Sequence, residues 1–230
     1  MPPGAVADDA EDNDKKPASK TKKKGSFWRE LPVLLVVAVV VALLVRTFVL
    51  QSFWIPSGSM ENTLQLNDYV LANKLIYDFR DPERGEIVVF KAPQSWQGAP
   101  GEEDFIKRVI AVGGDTVSYS KKDKHIRVNG EPLDEESYLY TNPETGKQQS
   151  PSLEDQEFKV KVPEGRLWVM GDHRWASGDS RERWERTEDE MESTIAVDSV
   201  IGKAFVLIWP VNRWDGLTIP DTFDGVPEPK

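Results

Sequence analysis

FIKRVIAVGGD, residues 105–115, is a run of apolar and β-branched residues that ends in a glycine turn. Successive side chains of a strand point to opposite faces, so Lys107 and Arg108 fall on different faces of this predicted strand. One face carries Phe105, Lys107, Val109 and Ala111, and the other carries Ile106, Arg108, Ile110 and Val112. One basic side chain therefore has to share each apolar face.

Seven other short runs of β-branched and aromatic residues lie on either side of this stretch. Turn sequences such as Arg84-Gly85 and Asn129-Gly130 separate them. The predicted strands are residues 69–71, 86–90, 116–120, 126–128, 158–162, 167–170 and 200–209. After residue 51 only the polar stretch 182–192 has the pattern of a helix. These patterns predict a mainly β fold, with a domain built on antiparallel β-sheet.

The composition excludes several kinds of site. The chain of 230 residues has no cysteine, which excludes disulfides, zinc–thiolate sites and a cysteine nucleophile. His125 and His173 are its two histidines, too few for a multi-histidine metal site, and they are the two candidate bases for a Ser-His-Asp triad. The net charge of -10 argues against nucleic-acid binding, because neutralising phosphates requires a basic face.

Residues 31–50 form a run of twenty residues with a single charge, that of Arg46. As a helix at about 1.5 Å per residue, this run spans roughly 30 Å, the thickness of the bilayer core. We therefore expect one transmembrane helix over residues 27–50. A cleaved secretory signal peptide is the alternative, but 30 preceding residues are too many, and no A-x-A motif follows the run.

The charges around the apolar run predict its orientation. Seven Lys or Arg residues precede it, whereas none lies between Arg46 and Lys74. The positive-inside rule then places residues 1–26 in the cytoplasm and residues 51–230 outside. We expect 1–26 to be a disordered tail that touches anionic lipid, 51–218 to be the folded domain and 219–230 to be a loose tail.

The segment that follows the apolar run, Pro56-Ser57-Gly58-Ser59, is a candidate nucleophile site. Here a serine hydroxyl can protrude while a neighbouring hydroxyl and N–H face the same point. A fully extended chain at about 3.3 Å per residue still keeps Ser59 within roughly 30 Å of the bilayer. The alternative is a polar linker. The apolar residues around the serines argue against a linker, since they can seat the chain in the interface or line a cleft.

Lys107 is the candidate base for such a serine. A lysine amine has a pKa near 10.4, too high to accept a proton at neutral pH, but burial among apolar groups lowers this pKa to about 7 or 8. The neutral amine can then deprotonate a serine, as in the Ser-Lys variants of acyl-transfer enzymes. The alternative is a lysine that reaches solvent from the end of its strand.

A third polar segment, GDHRWASGDSR at residues 171–181, follows the predicted strand 167–170. Its composition predicts a loop, and loops of this kind are usually structural. Ser177 can nevertheless orient an amine, and Asp179 and Arg181 are spaced to form an ion pair that would hold the loop.

Taken in order, these segments resemble the type I signal peptidases, the membrane-bound serine proteases that remove signal peptides from exported proteins. The matching motifs are IPSGSM at 55–60, DYV at 68–70, RGEIVVF at 84–90, FIKRV at 105–109, GGD at 113–115 and GDHRWASGDSR at 171–181. The resemblance extends from residue 27 to about 210. It implies the antiparallel β catalytic domain of that family behind one N-terminal transmembrane helix.

The resemblance also implies a role for each site residue. Ser59 would be the nucleophile and Lys107 the general base, while Ser57 would add its hydroxyl to the Ser59 N–H in an oxyanion hole and Ser177 would hydrogen-bond the lysine amine. The loop residues that would support the site are Gly171, Asp172, Asp179 and Arg181. The residues that would line pockets for small substrate side chains are Ile55, Pro56, Met60, Leu64, Phe105 and Ile106.

The same resemblance implies the reaction and its location. Members of the family cut preproteins after an A-x-A motif and use neither a metal nor an organic cofactor. The expected partners are signal peptides of exported preproteins, membrane lipid and the secretion channel, with no nucleic acid. The expected location is the bacterial cell membrane, in a single-span, Gram-positive-like layout. An exported domain without cysteine also favours a bacterial source.

His173 is the one departure from the family's motifs, which have asparagine at this position. It raises a rival in which His173 is the base, but in the endoplasmic-reticulum branch the histidine replaces the lysine in its own segment, where this chain has Lys107. A self-cleaving Ser-Lys regulator and an inert envelope adaptor remain as alternatives. The first usually carries a DNA-binding module, and the second is distinguished by whether the Ser59 and Lys107 side chains meet within hydrogen-bond distance.

Overall fold

The computed structural model describes residues 27–97, 103–152 and 156–229. The predicted cytoplasmic tail, residues 1–26, lies outside the described residues. The chain divides into two compact units, Met1–Ala42 and Leu43–Lys230.

The N-terminal helix α1 comprises Phe27–Leu44, and the leucine and valine side chains from Leu31 to Leu43 are exposed. A short π-helical segment, Val45–Val49, follows, and a strand begins at Leu50. The helix is therefore shorter than the span predicted over 27–50. Across residues 27–97, 103–152 and 156–229, no helix is both long enough and apolar enough to cross a bilayer.

In its described residues the second unit contains two antiparallel sheets and one further α-helix. The strands of the larger sheet are β1 (Leu50–Trp54), β2 (Tyr69–Asn73), β3 (Ile87–Lys91), β4 (Asp104–Val112), β9 (Arg166–Met170), β10 (Ile195–Ala196), β11 (Val200–Trp209) and β12 (Asp215–Gly216). Their order is β1-β2-β11-β3-β4-β9-β10, with β12 paired to β11. The smaller sheet, in the order β7-β6-β5-β8, consists of β5 (Thr116–Tyr119), β6 (Ile126–Val128), β7 (Glu131–Pro132) and β8 (Phe158–Lys161).

The predicted β character of this unit is confirmed, and each predicted strand region overlaps a strand of the structure. The predicted polar helix is α2, which comprises Ser180–Thr187 and so begins and ends earlier than expected. Strand β1 was not predicted, because its residues continue the apolar run and lack a turn signal before them.

Three apolar clusters form the core. The first joins the small sheet to β4 and β9 through residues such as Val117, Ile126 and Trp168. The second lies on β2, β3 and β11 and includes the apolar residues of segment 55–64. The third joins β3, β4, β9 and β10 and contains Phe90 and Val169. Strand β4 contributes residues to all three clusters, so its position connects the parts of the domain.

A bulge in β4 changes the predicted alternation of its side chains. Val109 pairs with Val169, but Ala111 pairs with the preceding residue, Trp168, so Ile110 is an extra residue on its strand. Ile110 and Ala111 therefore both join the first cluster, and Val112 packs against the third cluster with Val109. The predicted faces are thus wrong for Ala111 and Val112, because a bulge shifts the period of two by one residue.

The C-terminal segment is part of the folded domain. Phe223 and Val226 are buried in the first cluster. Arg84 donates a hydrogen bond to the Val226 carbonyl at 3.5 Å, and Asn129 donates one to the Pro227 carbonyl at 2.8 Å. The predicted loose tail over 219–230 is therefore wrong for these residues, since apolar contacts far apart in sequence fix them.

Phe223→Ala should lower the free energy of unfolding by about 3–5 kcal/mol, the usual cost of removing a buried phenylalanine. Phe79→Ala is the matched control, because Phe79 is 84% exposed whereas Phe223 is 5% exposed. Urea unfolding of the full chain in detergent measures both variants. Equal stability of the two variants would mean that the C-terminal segment does not pack on the domain.

Candidate active site

The segment after β1 forms a closed loop that presents Ser59. The Ile55 N–H donates to the Asp68 carbonyl and the Asn67 N–H donates to the Ile55 carbonyl, each at 2.9 Å, which closes the base of the loop. Within it, the Glu61 N–H donates to the Gly58 carbonyl at 3.1 Å, and residues 57–61 are called the serine turn below. Met60, next to Ser59, is fully buried, so apolar packing anchors the turn directly beside the hydroxyl.

Strand β4 brings Lys107 to this turn. The Lys107 Nζ donates a hydrogen bond to the Ser59 Oγ at 2.7 Å and another to the Ile106 carbonyl at 3.0 Å. Ser59 is 5% exposed and Lys107 is 4% exposed, and the Phe105 ring lies 5.5 Å from the Lys107 amine. The alternatives in which Lys107 reaches solvent and residues 56–59 form a polar linker are therefore excluded. The Ser59 and Lys107 side chains lie within hydrogen-bond distance, which is the contact that distinguishes an enzyme from an inert adaptor.

Burial lowers the pKa of Lys107 to about 8, because an ammonium ion loses its hydration there. The negative charges of Asp179 and Asp172 oppose part of this change. A substantial fraction of the amine is therefore neutral near pH 8 and able to accept a proton.

Ser57 supplies a second hydroxyl beside Ser59. Its Oγ donates to the Ser59 Oγ at 3.4 Å, at the long end of hydrogen-bond distances. Among the residues that the structure describes, the Ser59 N–H donates to no other group. The two donors named for an oxyanion hole are thus close together in the turn, and their role remains a prediction.

The support loop, residues 171–181, packs directly against the serine turn. A Cβ atom on Gly171 would lie 2.4 Å from the Ser59 carbonyl oxygen and 2.3 Å from the Ser177 Oγ, so this position has no room for a side chain. The Gly171 N–H donates to Asp179 at 3.0 Å, and Arg181 forms an ion pair with Asp179 at 2.8 Å. Burial alone would raise the pKa of Asp179, but Arg181 holds it below its ordinary value.

Asp172 connects three parts of the site. Arg108 of β4 donates two hydrogen bonds to the Asp172 carboxylate, at 2.9 and 2.7 Å, and Thr63 donates a third. The carboxylate therefore ties the support loop both to the strand that carries Lys107 and to the loop that carries Ser59. The four predicted support residues, Gly171, Asp172, Asp179 and Arg181, thus contact one another, β4 or the loop of Ser59, and their supporting role stays a prediction.

Comparison with known proteins shows the family to which this chain belongs. The family model described as "Signal peptidase, peptidase S26" matches residues 28–209. The chain belongs to this signal peptidase family. It is therefore a peptidase, and thus a hydrolase.

Relatives of this signal peptidase family member occur in several bacteria. The chain is 38% identical to the signal peptidase I of Mycobacterium tuberculosis (strain ATCC 25618 / H37Rv), over 92% of this chain and 84% of that protein. It is 37% identical to the probable signal peptidase I of Mycobacterium leprae (strain TN), over 86% and 82% of the two chains. The match to a crystal structure of a signal peptidase I from Enterococcus faecalis V583 extends over 54% of this chain and 97% of that chain. The sequence identity is 28% and the TM-score is 0.39.

Ser177 does not form its predicted contact in this signal peptidase family member. Its Oγ is buried and its hydroxyl helps to lower the pKa of Asp179, whereas the Lys107 amine donates to Ser59 and Ile106. The prediction that Ser177 hydrogen-bonds the lysine is therefore wrong for this structure. The lysine is held by its own strand and by the serine.

His173 does not contact the Ser59 hydroxyl. Its ring Nδ1 lies 2.9 Å from the Glu61 carboxylate and 3.2 Å from the Gly58 carbonyl oxygen. Its backbone N–H donates to the Ser59 carbonyl at 3.1 Å. The rival in which His173 is the base therefore has no support, because Lys107 occupies the position next to the hydroxyl.

The residues predicted to line substrate pockets fall into two groups. Ile55, Met60, Leu64 and Ile106 are buried in the second core cluster. Pro56 is exposed and Phe105 is partly exposed. Only these last two present substantial surface, so in this structure the other four form the floor of the site. Within the described residues, no group of His, Asp and Glu side chains could hold a metal ion.

Sequence reasoning missed a buried ion pair and the full role of Arg108. Arg174 of the support loop pairs with Glu135 at 2.5 Å, and both side chains are almost completely buried. Because Arg174 and Glu135 are 39 residues apart, the sequence contains no local signal for this pair. The sequence did contain a signal for Arg108, since a charge on an apolar strand face requires a buried partner.

Lys107→Met should make the protein more stable at pH 7 and lose this advantage as the pH rises. The folded pKa of Lys107, about 8, lies below the unfolded value of 10.5, so between these pH values unfolding takes up a proton and the stability of the lysine form rises with pH. This term destabilises the native lysine form by about 3 kcal/mol below pH 8 and disappears above about pH 10.5.

Urea unfolding at several pH values measures the difference between the two proteins. The exposed Lys122→Met is the control and should show no pH-dependent difference. A stability difference for Lys107→Met that is constant or grows with pH would contradict burial of the amine.

Proposed function

We propose that this chain is a type I signal peptidase that removes signal peptides from exported preproteins with a Ser59–Lys107 dyad. The observation that carries the proposal is the 2.7 Å hydrogen bond between a buried lysine amine and a serine hydroxyl. The relatives named signal peptidase I, which align over more than four fifths of this chain, support the choice of substrate class.

The chemistry follows from the pKa of the amine. Neutral Lys107 takes the Ser59 proton as the serine oxygen attacks the scissile carbonyl. The resulting ammonium then protonates the leaving amine, and the neutral lysine activates a water molecule that hydrolyses the acyl-enzyme. Because burial lowers the pKa of the amine to about 8, the neutral base is available at mildly alkaline pH. The steps above need neither a metal nor an organic cofactor.

The oxyanion hole is assigned to the Ser57 hydroxyl and the Ser59 N–H. Donors that are fixed before the reaction stabilise the developing negative charge most effectively in a site from which water is excluded. The low exposure of Ser59 and the packing of Gly171 against its carbonyl support this assignment.

Cleavage after A-x-A is consistent with the small space around the dyad. Of the six predicted pocket residues, Ile55, Met60, Leu64 and Ile106 are already packed in the core, and only Pro56 and the partly exposed Phe105 present surface. Larger substrate side chains would have to displace packed residues, whereas alanine side chains would not.

We also propose that residues 27–50 attach the enzyme to the bacterial cell membrane, with residues 1–26 cytoplasmic and the catalytic domain on the outer face. The helix α1 alone is not long and apolar enough to span, but the apolar sequence continues through Val45–Val49 to Leu50. The exposed leucine and valine side chains of α1 and the basic residues before it support the attachment. Membrane lipid and the secretion channel are then its neighbours.

The full chain in detergent should cut a preprotein after its A-x-A motif, and Ser59→Ala or Lys107→Ala should each abolish cutting. Ser59→Ala removes the oxygen that attacks the scissile carbonyl, and Lys107→Ala removes the amine that takes up and returns the proton. Lys122→Ala, at an exposed lysine, is the matched control and should cut normally. The rate of cutting by the wild type should rise with pH around a midpoint of about 8, as the amine loses its proton.

Gel analysis and mass spectrometry of the products measure this prediction. Cutting by Lys107→Ala at the wild-type rate would exclude the dyad. Products that end elsewhere than after A-x-A would exclude the proposed specificity.

Val37→Arg combined with Val40→Arg should release the protein from membranes on alkaline extraction, whereas the wild type should remain in the membrane pellet. Two charges within the apolar run cost about 5–7 kcal/mol of insertion free energy. Val211→Arg is the control, because Val211 is an exposed valine of the second unit. Release of the wild type under the same conditions would contradict the proposed attachment.

A further inference from the structure

His173 occupies the position at which the support loop meets the serine turn. Its backbone N–H donates to the Ser59 carbonyl at 3.1 Å, so the two segments are joined at the residue that carries the hydroxyl. Any side chain at position 173 except proline would retain this bond. The imidazole ring makes further contacts that depend on its own chemistry.

The ring is held from one side by Tyr140. The centres of the two rings are 3.9 Å apart and their planes differ by 13°. The Tyr140 N–H donates to the Asp172 carbonyl at 3.1 Å, so the residue on which His173 stacks is itself tied to the support loop. The stack therefore fixes the direction in which the imidazole points.

On its edge, the ring contacts the serine turn before and after Ser59. The Nδ1 lies 3.2 Å from the Gly58 carbonyl oxygen and 2.9 Å from the Glu61 carboxylate. A carbonyl oxygen can only accept a hydrogen bond, so Nδ1 carries the hydrogen. Since Nδ1 is protonated both in this neutral tautomer and in the imidazolium ion, the donor is present in either charge state.

Glu61 in turn covers the glycine of the turn. A Cβ atom on Gly58 would lie 2.9 Å from the Glu61 Cδ, so the carboxylate packs against the backbone immediately before Ser59. Among the residues placed by the structure, Glu61 and Tyr140 are the titratable groups in contact with the His173 ring. The ring, the carboxylate and the Gly58 carbonyl thus form one cluster around the serine.

We propose that His173 is a positioning residue for the Ser59–Lys107 pair, acting by donation from Nδ1 to Gly58 and Glu61. The proposal rests on the proposed function, because it assigns a residue to that reaction. Without the donor, the serine turn would gain freedom and the Ser59 Oγ would spend less time at hydrogen-bond distance from the amine. Binding of substrate depends on other surfaces and should change little.

The first test compares variants that separate the donor from the ring. His173→Phe keeps a ring that can stack on Tyr140 but has no donor, whereas His173→Asn places an amide N–H close to the position of Nδ1. We expect His173→Phe to lower kcat about tenfold or more with KM changed by less than about twofold, and His173→Asn to retain kcat within about threefold. His125→Phe is the matched control, because His125 precedes β6 in the other sheet and is exposed.

Glu61→Ala removes the acceptor from a side chain that is 27% exposed, so it tests the same contact if His173→Phe fails to fold. We expect it to lower kcat as His173→Phe does. The double variant should be no slower than the slower single variant, because the two changes break one interaction. Independent, additive losses would mean that the two residues do not act through their contact.

A second measurement needs no substrate. NMR titration of isotope-labelled lysine in the full chain, with Lys107→Ala to assign the signal, reports the pKa of Lys107 directly. The wild type should titrate near 8, and His173→Phe and Glu61→Ala should shift the midpoint towards 10.5 by about one unit as water reaches the amine.

The outcomes separate the two proposals. A failure of the wild type to cut any preprotein, together with the expected Lys107 shifts, would exclude the proposed function and leave the positioning role standing. Wild-type values of kcat and of the Lys107 midpoint in both His173→Phe and Glu61→Ala would overturn the positioning role, even if the chain cuts signal peptides.

Discussion

The site depends on one hydrogen bond, between a lysine amine and a serine hydroxyl from which water is excluded. Burial of the amine costs free energy when it is protonated, and this cost is what brings its pKa from 10.5 to about 8. The same burial requires a rigid surrounding, because a mobile loop would admit water and restore the ordinary pKa. Many contacts of the second unit hold the residues around the amine in place.

Buried ion pairs provide that rigidity. Asp172 joins the support loop to β4 and to the loop after Ser59, and Asp179 joins the two ends of the support loop through Gly171 and Arg181. Buried pairs of this kind contribute little net stability, since desolvation offsets their attraction. Their effect here is geometric. Their carboxylates also raise the pKa of Lys107, so the supports and the burial of the amine act in opposite directions.

The strands and the pairing of Ser59 with Lys107 could be predicted from the sequence, but several contacts could not. Strand patterns depend on neighbouring residues and can be recognised in the sequence. The position of Lys107 on an apolar strand left two alternatives, a buried amine and a side chain that reaches solvent. The bulge at Ile110 has no local signature, and it reversed the faces of Ala111 and Val112. Ser177 was assigned to Lys107 from the resemblance to a family, whereas here its hydroxyl points elsewhere. The burial of Phe223 depends on residues more than eighty positions away, such as Tyr138, with which its ring stacks.

The sequence by itself determined the types of chemistry that this protein can perform. The absence of cysteine excludes thiol chemistry, two histidines are too few for a multi-histidine metal site, and the resemblance to the type I signal peptidases predicts a serine–lysine peptidase. Only the tertiary structure decided that Ser59 and Lys107, 48 residues apart, lie 2.7 Å from each other, and that His173 joins the serine turn rather than replacing the lysine. The reason is that a hydrogen bond requires an accuracy of a few tenths of an ångström, which packing of distant segments provides and local sequence does not.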